Sequence, residues 1–110
     1  MNVGVFIQIT GTGSADKTVL GETQRKSMGR DAAILDAWQR TRDYLASFVL
    51  PSGRTVGEKA AGDEQYNKRL ETLVHGAQIV STQYDEDQTA VAVLRLDRRI
   101  IQNTLGTDYK

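Results

Sequence analysis

The sequence predicts an α+β domain in which one long amphipathic helix packs on a small antiparallel sheet, with elements in β-α-β-α-β-β order and a short C-terminal helix. Three observations carry that expectation. The N-terminus alternates apolar and polar residues, a proline-free stretch at about residues 23–49 repeats apolar side chains at helical spacing, and two strand-like runs near the C-terminus flank four polar residues. At 110 residues the chain is a single domain, 1–110, long enough to bury about 65% of its unfolded surface without a staple.

In the first strand Val3, Val5, Ile7 and Ile9 fall on one side and Gly4, Phe6, Gln8 and Thr10 on the other. The long helix places Ile34, Trp38, Thr41, Leu45 and Phe48 in one stripe, with Asp36, Arg40 and Asp43 opposite, and Pro51 and Gly53 stop it. Asp36 followed by Arg40 adds an i,i+4 ion pair. Thr55 and Val56 are assigned to a short second strand. Tyr66, Leu70, Leu73 and Val74 mark a second helix with Asp63 as its N-cap and Gly76 just past its end. The runs AQIVSTQY and TAVAVLRL form a hairpin around Asp85, Glu86, Asp87 and Gln88. Asp97 caps the last helix, RRIIQNTL, which Gly106 ends, and the tail TDYK is expected to be loose.

The stretch ITGTGSADKT, residues 9–18, comes within one residue of a phosphate-binding loop. The pattern G-x-x-x-x-G-K-[ST] laid on Gly11 needs glycine at position 16, and Asp16 stands there. A carboxylate among amides that must close around phosphate sets negative charge against negative charge. Gly11 and Gly13 are instead expected in a strand-to-helix turn, where glycine supplies unusual backbone angles. His75 falls in the last turn of a helix, where an imidazole suits the dipole. Asp85, Glu86 and Asp87 sit adjacent on a hairpin tip and lack the spacing of an oxygen cage. Arg95, Arg98 and Arg99 lack interleaved aromatics and read as a solvated end. No catalytic, cofactor-binding or metal set is expected, and no cofactor.

Fourteen basic residues balance fourteen acidic ones, so no net field draws in nucleic acid or an anionic membrane. The absence of cysteine excludes disulfides and thiol chemistry. No run is long enough for a spanning helix.

Gly11 and Gly13, the run Arg30, Ala32, Ala33, Leu35, Asp36 and Ala37, and Gly76, Ala77, Ile79 and Val80 occur in an order and spacing that resembles one bacterial family. That family comprises the twenty-kilodalton membrane-associated lipoproteins and the flagellar outer-membrane proteins P and T, and the likeness spans residues 11–97. The resemblance implies a non-enzymatic structural or assembly module of the cell envelope or flagellar outer-membrane apparatus, periplasmic or outer-membrane-associated, acting on itself or on other envelope proteins. The family's usual leader and acylated cysteine are not in this sequence, so membrane attachment is expected only through an anchor outside it. Ala32, Ala33 and Ala37 are small enough to let a helix approach a sheet closely. A helix cradled by a sheet also resembles the flavin-storing dodecins in layout, and the alternative is a small-ligand binder in which Trp38 or Tyr84 stacks on a ring.

Each strand carries apolar residues on both faces, Leu94 against Val91 and Val93 for example. The second face is expected to be covered partly by the short helices, through Leu70, Leu73, Val74, Ile100, Ile101 and Leu105, and partly by self-association.

Overall fold

Alternation at the N-terminus produces strand β2 (Phe6–Gly13), with a two-residue strand β1 (Asn2–Val3) paired to its start. The computed structural model describes residues 2–3, 6–15, 18, 21–85 and 89–106. Val5, Asp16, Lys17, residues 86–88 and the tail 107–110 lie outside them. Helix α1 (Glu22–Ala46) follows, then α2 (Val56–Gly62), α3 (Glu64–His75), the hairpin β3 (Gln78–Tyr84) and β4 (Ala90–Asp97), and α4 (Arg98–Leu105). The fold is α+β, with a long helix on an antiparallel sheet in the order β1-β2-β4-β3. Among the described residues no helix is long and apolar enough to cross a membrane.

The expected second strand is not formed, and the β-α-β-α-β-β order is corrected accordingly. Thr55 accepts a hydrogen bond from the Glu58 amide (3.1 Å) while the Glu58 carboxylate accepts one from the Thr55 amide (3.0 Å), a reciprocal cap that starts α2. Val56 is then fully buried on a helix. The β character there amounts to an isolated bridge between Val49 and Thr55 across the turn at Gly53, whose φ is 90°. The long helix also ends earlier than residue 49, at Ala46, and Phe48 packs edge-on against Tyr44 beyond it. Asp63 and Asp97 cap α3 and α4 as expected, accepting from the Tyr66 and Arg99 amides, and Gly106 closes α4 in the left-handed region at φ 72°.

The inner face of the sheet tapers. Cross-strand partners run from Ile7 with Leu96, through Ile9 with Leu94, to Gly11 with Ala92 and Gly13 with Ala90. The line of α1 buried against it tapers in the same sense, through Leu45, Thr41, Ala37, Ala33 and Gly29 at four-residue spacing. Matching small against small lets helix and sheet backbones touch at one end. Matching large against large holds them apart at the other, where α2, α3 and α4 complete the core through Val56, Leu70, Val74, Ile101 and Leu105.

All four helices therefore serve one face. Leu70, Leu73, Val74, Ile101 and Leu105 share a core with Ile7, Leu94 and Leu96, so the short helices do not cover the second face, and Ile100 is left exposed. Phe6, Gln8, Thr10 and Thr12 of β2 and Val91, Val93 and Arg95 of β4 form that outer face, and among the described residues none of them joins the core.

Candidate functional site

Gly11 and Gly13 belong to strand β2, not to a loop, and among the described residues positive φ occurs at Gly53 and Gly106 instead. The expectation that these two glycines supply unusual angles is corrected: they supply absence of bulk. A Cβ on Gly11 would lie 2.3 Å from the Ala37 nitrogen and 2.4 Å from the Ala33 oxygen, and one on Gly13 would lie 2.3 Å from the Ala33 nitrogen. The close approach read from Ala32, Ala33 and Ala37 is present, and both glycines are spent on helix packing.

Beside them Asp36 ties strand to helix, accepting from the Thr12 amide at 2.8 Å and from the Arg40 guanidinium at 2.9 Å. The Thr12 amide above all holds this carboxyl below its ordinary 3.8; burial, next in size, opposes it, and the Arg40 guanidinium adds to the lowering. A depressed carboxyl contributes stability that is present above the unfolded value and lost as pH falls through the folded one. Asp36→Asn is expected to cost under about 1 kcal/mol at neutral pH, and the gap to wild type should close below pH 3.8. Urea midpoints across that range check it; a gap that persists in acid would assign the cost to packing.

The remaining candidates are dispersed. His75 meets Trp38 edge-on, ring centroids 4.7 Å apart. Asp85 is exposed, Glu86 and Asp87 lie outside the described residues, and among those described no cluster of His, Asp or Glu can hold a metal. Arg95 lies over the Phe6 ring at 4.4 Å and donates to Gln78 at 3.1 Å, and Arg99 pairs with Asp97, so these two arginines are engaged separately. The Tyr84 hydroxyl donates to the Lys26 carbonyl at 3.0 Å, which fixes its ring beside α1. A groove of about 430 Å³ between α3 and α4 has Leu73, Leu96 and Ile100 for its floor and Lys68 and Arg69 at its rim.

What the structure does bring together is one edge of the sheet. Strand β3 pairs on one side with β4, and among the described residues its other side is open. Along it lie Ile79 and Val80, 41% and 43% exposed, with Tyr84 at the far end. Leu35 of α1, 60% exposed, lies beside Ile79, and Met28 stands two turns away on the same side of the helix. These five make up most of the large apolar side chains left exposed among the described residues. Between helix and edge, Ile34, Leu35, Trp38 and Ile79 line a hollow of about 240 Å³. A second hollow of about 410 Å³ adjoins it and shares Leu35 and Trp38. Among the described residues the Trp38 indole N–H has no partner, and the Arg42–Glu71 ion pair, braced by Asn67, lines the second hollow.

Sequence reasoning identified β3 as a strand and missed the strip. Leu35 lies off the stripe read on the long helix, and only its pairing in space with Ile79 gives it a role. The chain matches no protein-family model and no curated protein, so the functional reading rests on this geometry and on the motif resemblance.

Proposed function

We propose that the chain is a non-enzymatic structural or assembly module that works by protein–protein contact through the β3 edge and the apolar strip beside it. The observation that carries this is the coincidence of an open strand edge with exposed Leu35, Ile79 and Val80. An extended partner segment added there gains main-chain hydrogen bonds from the strand and apolar contact from the strip. The motif order shared with the lipoprotein and flagellar family supports a setting in the bacterial envelope or flagellar outer-membrane apparatus, with any membrane attachment through a leader or lipid outside this sequence. A photo-crosslinking residue placed at Ile79 in cells that make the protein tests it. Discrete protein adducts are expected from Ile79, and none from exposed Glu64 on α3. Equal labelling from both positions would remove the edge as a contact surface.

A second reading has one observation in its favour. Trp38 walls both hollows and, among the described residues, its indole N–H lacks a partner, which suits a flat ligand with an acceptor. Quenching of riboflavin fluorescence by the purified protein, lost in Trp38→Leu, would favour this reading over the first.

A further inference from the structure

The groove between α3 and α4 is charged at one end and apolar at the other, and the packing of the two helices makes it so. The Tyr66 hydroxyl, near the start of α3, donates to the Leu105 carbonyl at the end of α4, 2.6 Å away. From that clamp α3 advances while α4 runs back toward β4, so later residues of one helix meet earlier residues of the other. Lys68 and Arg69 therefore share one end of the groove with Thr104, and Leu73 and Gly76 share the other with Leu96 and Ile100.

At the charged end two exposed cations stand unpaired. Among the described residues no carboxylate lies within ion-pair range of the Lys68 ammonium or the Arg69 guanidinium, and none lines the groove. At the apolar end buried Leu73 and Leu96 form the floor, Ile100, 53% exposed, forms a wall, and Gly76 adds no side chain to close it. An apolar floor gives a bare inorganic anion nothing in place of its water, and a cationic rim repels an amine. The two ends together select a ligand that is anionic at one end and apolar at the other. Size selects against a protein. Among the described residues Ile100 is the only large apolar side chain exposed on α3 or α4. Eight residues line the groove, against about 20–30 on each side of a stable protein interface. Its volume of about 430 Å³ falls instead among small-molecule sites, about 300–1,000 Å³.

We propose that this groove binds a free single-chain amphiphile of the fatty-acid class, its carboxylate between Lys68 and Arg69 and its alkyl chain laid over Leu73 and Leu96 against Ile100. The Arg69 guanidinium offers the carboxylate a planar fork and Lys68 a point charge. From Lys68 to Gly76 the groove extends about 12 Å at helical rise, which fits a chain of medium length. The site shares no lining residue with the hollows at Trp38 and is independent of the contact reading at the β3 edge.

Amide chemical shifts of the purified chain, followed by NMR as decanoate is added below its micelle-forming concentration, test it. Saturable shifts are expected at Thr72, Leu73, Gly76, Ile100 and Thr104. Decyltrimethylammonium carries the chain with the opposite head and acetate the head without the chain, and each is expected to bind about tenfold more weakly or not at all. Lys68→Glu combined with Arg69→Glu should weaken decanoate by about tenfold or more, and Ile100→Ser by about fivefold. Equal binding of decyltrimethylammonium overturns the proposal, as does an absence of saturable shifts. Shifts confined to Leu35, Trp38 and Ile79 overturn it too, because they place the chain in the other hollows. Binding to vesicles of anionic phospholipid without binding of free decanoate would put a membrane surface in place of the soluble ligand, again against the proposal. The ligand series on the unmodified chain decides the matter even where a variant fails to fold.

Discussion

Gly11→Ala is expected to destabilise the domain by about 3 kcal/mol or more, the upper end of what an added methyl costs in a packed core. Three atoms obstruct that methyl most closely: the Ala37 nitrogen at 2.3 Å, the Ala33 oxygen at 2.4 Å and the Ala37 Cα at 2.7 Å. All belong to helix backbone, so no rotamer change relieves them. The strand cannot retreat either, because β2 is held in register with β4 along its whole length. The sign is diagnostic: where space allows, Gly→Ala stabilises by about 0.4–1 kcal/mol through the unfolded chain. Gly62, at the end of α2 with no atom within 4 Å of its Cβ position, supplies that control. Urea unfolding of both variants is the measurement, and a Gly11→Ala midpoint equal to wild type would remove the close contact between strand and helix from the account of this fold.

Tyr66→Phe is expected to cost about 1–3 kcal/mol, because it strands a buried acceptor. Tyr66 is 3% exposed and its hydroxyl donates to the Leu105 carbonyl at 2.6 Å, clamping the start of α3 to the end of α4. Burial pushes the phenol above its ordinary value of 10.0, with Arg69 opposing in part. A group whose pKa is raised on folding contributes stability that is fully present below the unfolded value and lost as pH rises through the folded one. Wild type should therefore lose stability above pH 10.0 more steeply than the Phe variant, and the gap between them should narrow. Parallel slopes in urea titrations at neutral and alkaline pH would show that the hydroxyl is not buried in the folded state.

Elements that announce themselves through periodicity or a capping residue were legible: α1, α3, α4 and the hairpin, with Asp63, Asp97 and Gly106 at their ends. Helix α2 was legible in principle, since Thr55 and Glu58 stand at capping-box spacing, but two β-branched residues outweighed them. The sheet-facing line of α1 was missed for a physical reason. Gly29, Ala33 and Ala37 are buried because they are small, and a search for large apolar side chains passes over them in favour of Ile34 and Trp38 at the flank. The same blindness put Gly11 and Gly13 in a turn. The candidate site was half visible: β3 was read as a strand of the hairpin, while the strip depends on where α1 crosses it. That crossing is set by packing between residues far apart in sequence.

The matched taper of helix and sheet divides the domain into regions that tolerate change differently. At the thick end, where Leu45, Leu94, Leu96 and Leu70 meet, volume is shared among several side chains, and swaps of similar size are absorbed by repacking at under about 1.5 kcal/mol. At the thin end, where Gly11, Gly13 and Gly29 meet Ala33, Ala37 and Ala90, spacing is set by main chain and no side chain remains to adjust. Drift in a lineage of such sequences is therefore expected to run freely through the leucines and to halt at the glycines and alanines. A pattern of tiny residues, more than any apolar motif, would be the durable signature of this fold.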